Sequence, residues 1–153
     1  VEPTGPTLIH PGSGGLAKCC PLAAWVAVVR RLRNDGRDVA WMLGPAELER
    51  FSDEAMAELR HHAPIRCEED IVRAADLAAS AEIYLGHDAG MTHVAALAGA
   101  PTVAVFGPTN SRTWRPIGLL VGVDAFPTGE DWQGFAERLL ATAARLRVTG
   151  GGP

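Results

Sequence analysis

The sequence predicts a single α/β domain in which helices cover both faces of a parallel sheet. Short apolar, β-branched runs alternate along the chain with segments whose apolar residues recur at the period of an α-helix. This alternation is typical of a parallel sheet, because each strand needs a crossover connection before the next strand can run in the same direction. The chain has 153 residues, 47% of them hydrophobic, which is enough for one domain with a substantial core. We therefore expect a Rossmann-like, doubly wound sheet.

Five apolar runs are the candidate strands, with a sixth, weaker one between the second and third. In chain order the six cover residues 7–12, 38–44, 64–67, 81–88, 101–107 and 118–124. The segments with helical periodicity cover residues 21–36, 45–62, 68–80 and 131–148. We predict the strand order 3-2-1-4-5-6, so the strands that end near residues 10 and 86 should be neighbours. The Pro/Gly-rich ends, residues 1–6 and 149–153, are expected to be linker and tail around a domain of residues 7–148.

Composition excludes several functional classes. The net charge of -4 argues against a protein that reads the nucleic-acid backbone, because neutralising phosphates requires a surplus of Lys and Arg. The three cysteines, at 19, 20 and 67, have neither a disulfide pattern nor zinc-ligand spacing, so we expect buried or half-buried thiols in the cytoplasm. No apolar run has the length of a membrane span. The first residue is Val1, so we expect a piece of a longer chain.

The loop after the first strand is a candidate anion site. Ser13, Gly14 and Gly15 form a turn with little side-chain bulk ahead of a helix, so its N–H groups could approach an anion closely. Lys18 adds a positive charge to the same loop. A cysteine follows this lysine and no GxGxxG occurs, so the loop is neither a Walker A motif nor a standard dinucleotide fingerprint. Taken alone, it is equally consistent with an ordinary glycine-rich turn.

The loop after the fourth predicted strand, GHDAGMTH (86–93), is the second candidate. Gly90 and the amides of Met91, Thr92 and His93 would begin a helix beside the first loop, so two helix dipoles could converge on one anion. Asp88 would repel a phosphate, so we expect it to accept hydrogen bonds from turn amides or from a sugar hydroxyl. His93 could donate to a phosphate or bond a nearby carbonyl, and the sequence favours neither.

Glu47 follows a Gly-Pro turn at the end of the second strand. An acidic residue at this position can accept hydrogen bonds from ribose hydroxyls. It can equally be a helix N-terminal charge that the helix dipole favours.

Together these motifs resemble the C-terminal domain of glycosyltransferase family 9, the ADP-heptose:lipopolysaccharide heptosyltransferases. The stretches that carry the resemblance are HPGSGG..K..P...W (10–25), LGPAE (43–47), GHDAGMTHVAALAGAPTVAVFGPT (86–109) and W.P.G (114–118). The resemblance implies an inverting GT-B enzyme whose C-terminal half binds a nucleotide-diphospho-sugar, ADP-heptose first. It implies that Ser13, Gly14, Gly15 and Lys18 hold the diphosphate, Glu47 the ribose, and Asp88, Ala89, Gly90, Met91, Thr92 and His93 the diphosphate and sugar.

The same resemblance places the acceptor and the general base in an N-terminal domain that would precede Val1. We therefore expect no catalytic residue in this chain, which should bind donor without transferring it. The implied acceptor is a glycolipid, and the full-length enzyme is expected in the cytoplasm, peripheral at the inner membrane face. No Asp-x-Asp motif occurs, so we expect no metal and no cofactor, because Lys18 and the helix dipoles can neutralise a diphosphate directly.

Three departures from the family pattern affect the donor loops. Cys19-Cys20-Pro21 follows Lys18 where the family commonly has x-Trp-Pro, and Ala89 stands where it has Ser or Thr. The alanine removes one hydroxyl that could bond the donor. His87 also replaces the usual Asn or Val.

Two other functions fit the sequence. One is a GT-B transferase for a UDP- or GDP-sugar, which would differ in a base slot expected near residues 67–71. The other is a non-catalytic nucleotide-binding module, which a fully polar surface would favour over an uncovered apolar one. In the transferase, Trp114, Pro116 and residues 106–110 should face an interdomain cleft. General aromatic burial instead favours a core position for Trp114.

Overall fold

The structure, a computed structural model, describes residues 4–150, with side chains described to residue 147. Six strands form one sheet, every neighbouring pair of which is parallel: β1 (Gly5–His10), β2 (Val39–Leu43), β3 (Ile65–Cys67), β4 (Ala81–His87), β5 (Thr102–Phe106) and β6 (Val121–Ala125). The strand order is β3-β2-β1-β4-β5-β6, which confirms the predicted order and the α/β Rossmann-like class. All six predicted strands are present, including the weak one.

Seven α-helices and one short 3-10 helix occur among the described residues. The 3-10 helix is Leu16–Lys18, and the α-helices are α1 (Leu22–Asn34), α2 (Pro45–Arg50), α3 (Asp53–His62), α4 (Ile71–Ser80), α5 (Gly90–Leu97), α6 (Ser111–Trp114) and α7 (Trp132–Gly150). None of these helices is long and apolar enough to cross a membrane.

The core has two layers because successive residues of each strand face opposite sides of the sheet. Ile9 belongs to the larger cluster, which includes Trp25 of α1 and Phe135 of α7, and Leu8 belongs to the smaller one. The smaller layer is built mostly from alanines of α4, α5 and the strands, so these two helices lie close to the sheet. Each fully buried Leu, Ile or Phe contributes about 1.5–3 kcal/mol.

Capping residues explain where the helices differ from the prediction. The segment predicted as one helix over 45–62 is two helices, because Phe51 is extended and the Ser52 hydroxyl accepts from the Ala55 amide at 3.1 Å, starting a new helix. The helix predicted from 68 begins at Ile71, since the Asp70 side chain caps it. The short helix α6 was not predicted; Asn110 caps it in the same way.

The ends of the domain also differ from the expected linker and tail. The first strand begins at Gly5, which pairs with Ala81; a Cβ there would overlap the carbonyl of Ser80, so the glycine permits this close pairing. Helix α7 continues through Gly150, two residues past the predicted domain end. Residues 1–3 and 151–153 of the predicted linker and tail lie outside the described residues.

Two predictions of burial were wrong. Cys67 is exposed, because β3 is a three-residue edge strand and this is its last residue. Trp114 is 55% exposed, because it ends the four-residue helix α6, none of whose residues is buried. Pro116, by contrast, is buried. Cys19 is half-buried and Cys20 buried, as expected.

Candidate functional site

The predicted donor loops meet at the carboxyl edge of the sheet. Strands β1 and β4 are neighbours, with His10 opposite Gly86. The turn of Ser13, Gly14 and Gly15 that follows β1, here called the glycine loop, therefore lies beside the start of α5. A cavity of about 230 Å³ opens here between the segments that follow β1, β2, β3 and β4. Of the predicted residues, its wall contains Ser13, Gly14, Glu47, Ala89, Gly90 and Met91. Residues 68–71 of the expected base slot, residues 67–71, also line it, whereas Cys67 does not.

A larger groove, about 530 Å³, lies between α1 and the start of α7. It contains none of the predicted residues. The smaller cavity is therefore the candidate site.

The glycine loop is tied to both of its neighbours. The Ser13 hydroxyl donates to the carbonyl of Asp88 at 3.2 Å, which joins the loop to the end of β4. From the other side, the guanidinium of Arg50 donates to the carbonyls of Ser13 at 2.6 Å and Gly14 at 2.8 Å. Sequence reasoning missed Arg50, because no local pattern relates the end of α2 to this loop.

Asp88 is a buried carboxylate at the centre of a polar cluster. Its Oδ2 accepts from Lys18 Nζ at 3.2 Å and from the Thr109 hydroxyl at 2.8 Å. His93 Nε2 lies 3.8 Å from Oδ1. The predicted bonds from turn amides to this carboxylate are not formed within residues 4–150, because α5 is capped by Ala89 and makes no side-chain cap bond. The Lys18 side chain remains 40% exposed, so its ammonium is accessible from solvent.

The start of α5 offers fewer free amides than expected. The amides of Thr92 and His93 both donate to the Ala89 carbonyl, at 3.0 and 3.4 Å. Those of Gly90 and Met91 have no acceptor within the described chain, as is usual for the first turn of a helix. Thr92 is fully buried and its hydroxyl donates to the His87 carbonyl at 2.6 Å, so its side chain shapes the turn rather than facing the cavity.

Glu47 lies in the cavity wall but is already well partnered. Its Oε2 accepts from the Gly44 amide at 2.8 Å, as expected for an acidic residue in a first helical turn, and lies 3.2 Å from His10 Nε2. Burial raises the pKa of Glu47, but the hydrogen bonds and charge of His10, with the Gly44 amide, outweigh it, so the pKa is lowered. The carboxylate is therefore ionised at neutral pH. His10 was not predicted as a site residue.

The His87 ring forms hydrogen bonds to residues on both sides of the glycine loop. Its Nε2 accepts from the Cys20 amide at 2.9 Å and from the Trp25 indole at 3.2 Å. Because both groups only donate, Nε2 carries no proton, and Nδ1–H donates to the Gly12 carbonyl at 3.2 Å. Burial lowers the pKa of His87 to about 4, so the ring is neutral. Sequence reasoning noted His87 only as a departure from the family pattern.

The thiol of Cys20 also contacts this ring, with Sγ 3.0 Å from Nε2. Burial raises the pKa of Cys20 to about 12, so the thiol stays protonated at neutral pH. This cysteine–histidine pair therefore does not supply a thiolate nucleophile.

Comparison with known proteins gives the family. The model of glycosyltransferase family 9 (heptosyltransferase) matches residues 4–124. Lipopolysaccharide heptosyltransferase 2 of Salmonella typhimurium is 28% identical over an alignment of 138 residues, and the match covers 82% of this chain and 39% of that protein. Lipopolysaccharide heptosyltransferase 3 of Escherichia coli is 27% identical over 71% of this chain and 33% of its own length. The chain thus spans less than half the length of these relatives.

Solved structures agree in fold. The structure of E. coli ADP-heptose lipopolysaccharide heptosyltransferase II has a TM-score of 0.72 at 22% identity. The match covers 97% of this chain and 49% of that one. The family match extends over the candidate site from the glycine loop to the turn after β5. The chain belongs to glycosyltransferase family 9, the heptosyltransferase family.

Proposed function

We propose that this chain is the donor-binding, C-terminal half of an inverting GT-B glycosyltransferase. The observation that carries the proposal is the meeting of the glycine loop, the start of α5 and Glu47 around one cavity at the carboxyl edge of the sheet. Ligands of open parallel sheets bind at this edge, where loops feed helix N-termini. A nucleotide-diphospho-sugar has an anionic diphosphate and a ribose diol. The N–H donors of the loops and of α5 match the diphosphate, and the carboxylate of Glu47 matches the diol.

Lys18 and the free amides supply the positive side of this site. An ammonium has three donors, and Asp88 uses one of them, so two remain for phosphate oxygens. The amides of Gly90 and Met91 add donors at the positive end of the α5 dipole. In sugar transfer, an acceptor oxygen bonds to the anomeric carbon as the bond from that carbon to the phosphate oxygen breaks, and the leaving nucleoside diphosphate gains charge. The lysine and the amides would stabilise that charge without a metal.

Glu47 supplies the acceptor for ribose. Its carboxylate is held ionised by His10 and the Gly44 amide in the cavity wall, where a hydroxyl can donate to it. The nucleobase would then lie toward residues 68–71 on the same wall. One similar solved structure is named for ADP-heptose and another, an E. coli heptosyltransferase, was solved with ADP, so we infer an ADP-sugar donor, with heptose as the sugar.

The acceptor side of the reaction lies outside this chain in our proposal. The relatives are more than twice as long as the segment they share with it, which leaves room for an acceptor domain and its general base. The relatives' names indicate lipopolysaccharide assembly, hence a glycolipid acceptor. The chain alone would then bind donor and leave the sugar in place.

Calorimetric titration tests the donor. We expect ADP to bind more tightly than UDP or GDP, and ADP-heptose to bind without being consumed when a lipid A–core acceptor is present. Tighter binding of UDP or GDP would replace the ADP-sugar assignment with another nucleotide. Sugar transfer by this chain alone would contradict the assignment of the base to another domain. Absence of any nucleotide binding by the folded chain would favour a non-catalytic module without a donor site.

A further inference from the structure

One guanidinium group holds two consecutive peptide units of the glycine loop. Arg50 is the last residue of α2, and its two terminal nitrogens donate to the carbonyls of Ser13 at 2.6 Å and of Gly14 at 2.8 Å. These are short, charge-assisted bonds, made by a rigid planar fork to two adjacent acceptors.

This contact also fixes the direction of two amides. In a trans peptide the N–H points opposite to the C=O, and no cis peptide occurs among the described residues. Because the Ser13 and Gly14 carbonyls face Arg50, the N–H groups of Gly14 and Gly15 point away from it. Neither amide donates to any protein acceptor in residues 4–150. Two adjacent donors therefore share one direction and have no partner.

We infer that Arg50 is a positioning residue, which aims the amides of Gly14 and Gly15 at the phosphates of the donor. This inference rests on the proposed function and deepens it. Arg50 acts through the loop carbonyls and does not itself contact the ligand. Without it, the loop would lose its only hydrogen bonds to α2 among the described contacts, and glycines have the largest conformational freedom to lose on binding.

Helix α2 carries a residue for each half of the proposed ligand, the nucleoside and the diphosphate. Glu47 and Arg50 both belong to α2, so one rigid turn carries the ribose acceptor at its start and the loop anchor at its end. Arg50 should therefore affect the diphosphate, while Glu47 affects the nucleoside. This division gives the inference a measurable consequence.

Arg50→Lys is the decisive variant because it keeps the charge and removes the fork. A lysine ammonium cannot hold both carbonyls in the same planar geometry. Arg50 is exposed, so the substitution does not threaten the core. Arg60→Lys is the matched control: Arg60 lies in the last turn of α3, is also exposed, and makes no contact with the site.

The test is a titration of ¹⁵N-labelled protein with ADP, adenosine and inorganic pyrophosphate, followed at the Gly14 and Gly15 amides. In the unsubstituted chain we expect ADP and pyrophosphate to shift both amide signals. Arg50→Lys should weaken ADP and pyrophosphate binding by about tenfold, the effect of losing one charge-assisted bond, with adenosine binding unchanged. Arg60→Lys should bind all three as the unsubstituted chain does.

The outcomes separate this inference from the proposed function. Full ADP affinity in Arg50→Lys would overturn the positioning role, since charge alone would then suffice. Equal weakening of ADP and adenosine would also overturn it, because the variant would then disturb the Glu47 side of the cavity. A response of both amides to pyrophosphate but not to ADP would support the loop site and reject the nucleotide donor. A chain whose amides respond to neither would overturn both.

Discussion

The ammonium of Lys18 and the carboxylate of Asp88 form an ion pair of 3.2 Å between the loops that follow two neighbouring strands. The two partners differ in environment, since the lysine side chain is 40% exposed and the aspartate only 7%. Lys18 is also the only lysine in the sequence. The pair therefore brings the one ammonium side chain to the start of α5, and it neutralises a carboxylate that would otherwise repel a phosphate.

Lys18→Ala should weaken ADP binding by about 1.5–3 kcal/mol, the contribution of a hydrogen bond to a charged group. Stability should change little, because the lysine side chain is 40% exposed and the buried Asp88 carboxylate keeps its hydrogen bond from the Thr109 hydroxyl. Calorimetry and thermal unfolding measure the two effects. Arg73→Ala, on the exposed face of α4, controls for loss of a positive charge. Unaltered ADP affinity would show that Lys18 does not bind phosphate, and a large fall in melting temperature would make it structural.

Gly12→Ala should destabilise the fold, whereas Gly14→Ala should not. A Cβ on Gly12 would overlap the carboxylate of Glu47, while a Cβ on Gly14 meets nothing within 4 Å. Relieving the overlap would move a buried carboxylate away from His10 and the Gly44 amide, at a cost of about 1–3 kcal/mol. Gly14→Ala is neutral or slightly stabilising, since alanine restricts the unfolded chain. Urea unfolding compares the two, and equal losses would mean that Glu47 is not held where the structure has it.

Glu47→Gln tests ribose recognition separately from the diphosphate. The amide oxygen of glutamine can still accept from the Gly44 amide, so the start of α2 should survive. We expect the variant to lose about 1.5–3 kcal/mol of ADP binding, but little binding of 2′,3′-dideoxy-ADP, which has no ribose hydroxyl to donate. Calorimetric titration of the unsubstituted chain and of Glu47→Gln with ADP and with 2′,3′-dideoxy-ADP measures the four affinities. A similar loss with each nucleotide would assign Glu47 to the architecture of the loop and not to ribose.

The sheet could be predicted because its strands are continuous apolar runs and because parallel strands leave few possible orders. The donor loops followed from the rule that ligands bind where those strands end. Helix boundaries were less accurate because single capping side chains, such as Ser52 and Asp70, set them. Trp114 was placed in the core by the general tendency of aromatics, but it ends the four-residue helix α6, none of whose residues is buried.

The contacts inside the site could not be predicted from the sequence. Arg50 and Ser13 are 37 positions apart, and His87 and Cys20 are 67 apart. No periodicity relates residues at such separations, because their proximity follows from the packing of whole elements. His10 and His87 could have been found by a simpler signal, since each ends a strand at the edge where the ligand was expected.

His87 links stability to pH because it is a neutral base whose ring nitrogens contact polar groups of three residues. Nε2 accepts from Cys20 and Trp25, and Nδ1–H donates to Gly12. A second proton on Nε2 would face two donors, and burial already lowers the pKa of His87 to about 4. The unfolded chain, whose histidine has an ordinary pKa near 6.5, therefore binds the proton more readily than the folded one.

Stability should consequently fall as the pH is lowered from about 6.5 to 4. Over this window the histidine becomes protonated in the unfolded chain but stays neutral in the native one, which lowers the free energy of unfolding by roughly 3 kcal/mol. Below pH 4 this group contributes no further change. His87→Gln isolates the effect, because glutamine keeps one donor for Gly12 and one acceptor for Cys20 but does not titrate. The variant should be less stable at pH 7 but lose less stability between pH 6.5 and 4, while Glu47 and the other carboxylates contribute equally to both proteins. Urea unfolding at half-unit intervals gives the two curves, and parallel curves across the window would show that His87 is not held as a buried neutral ring.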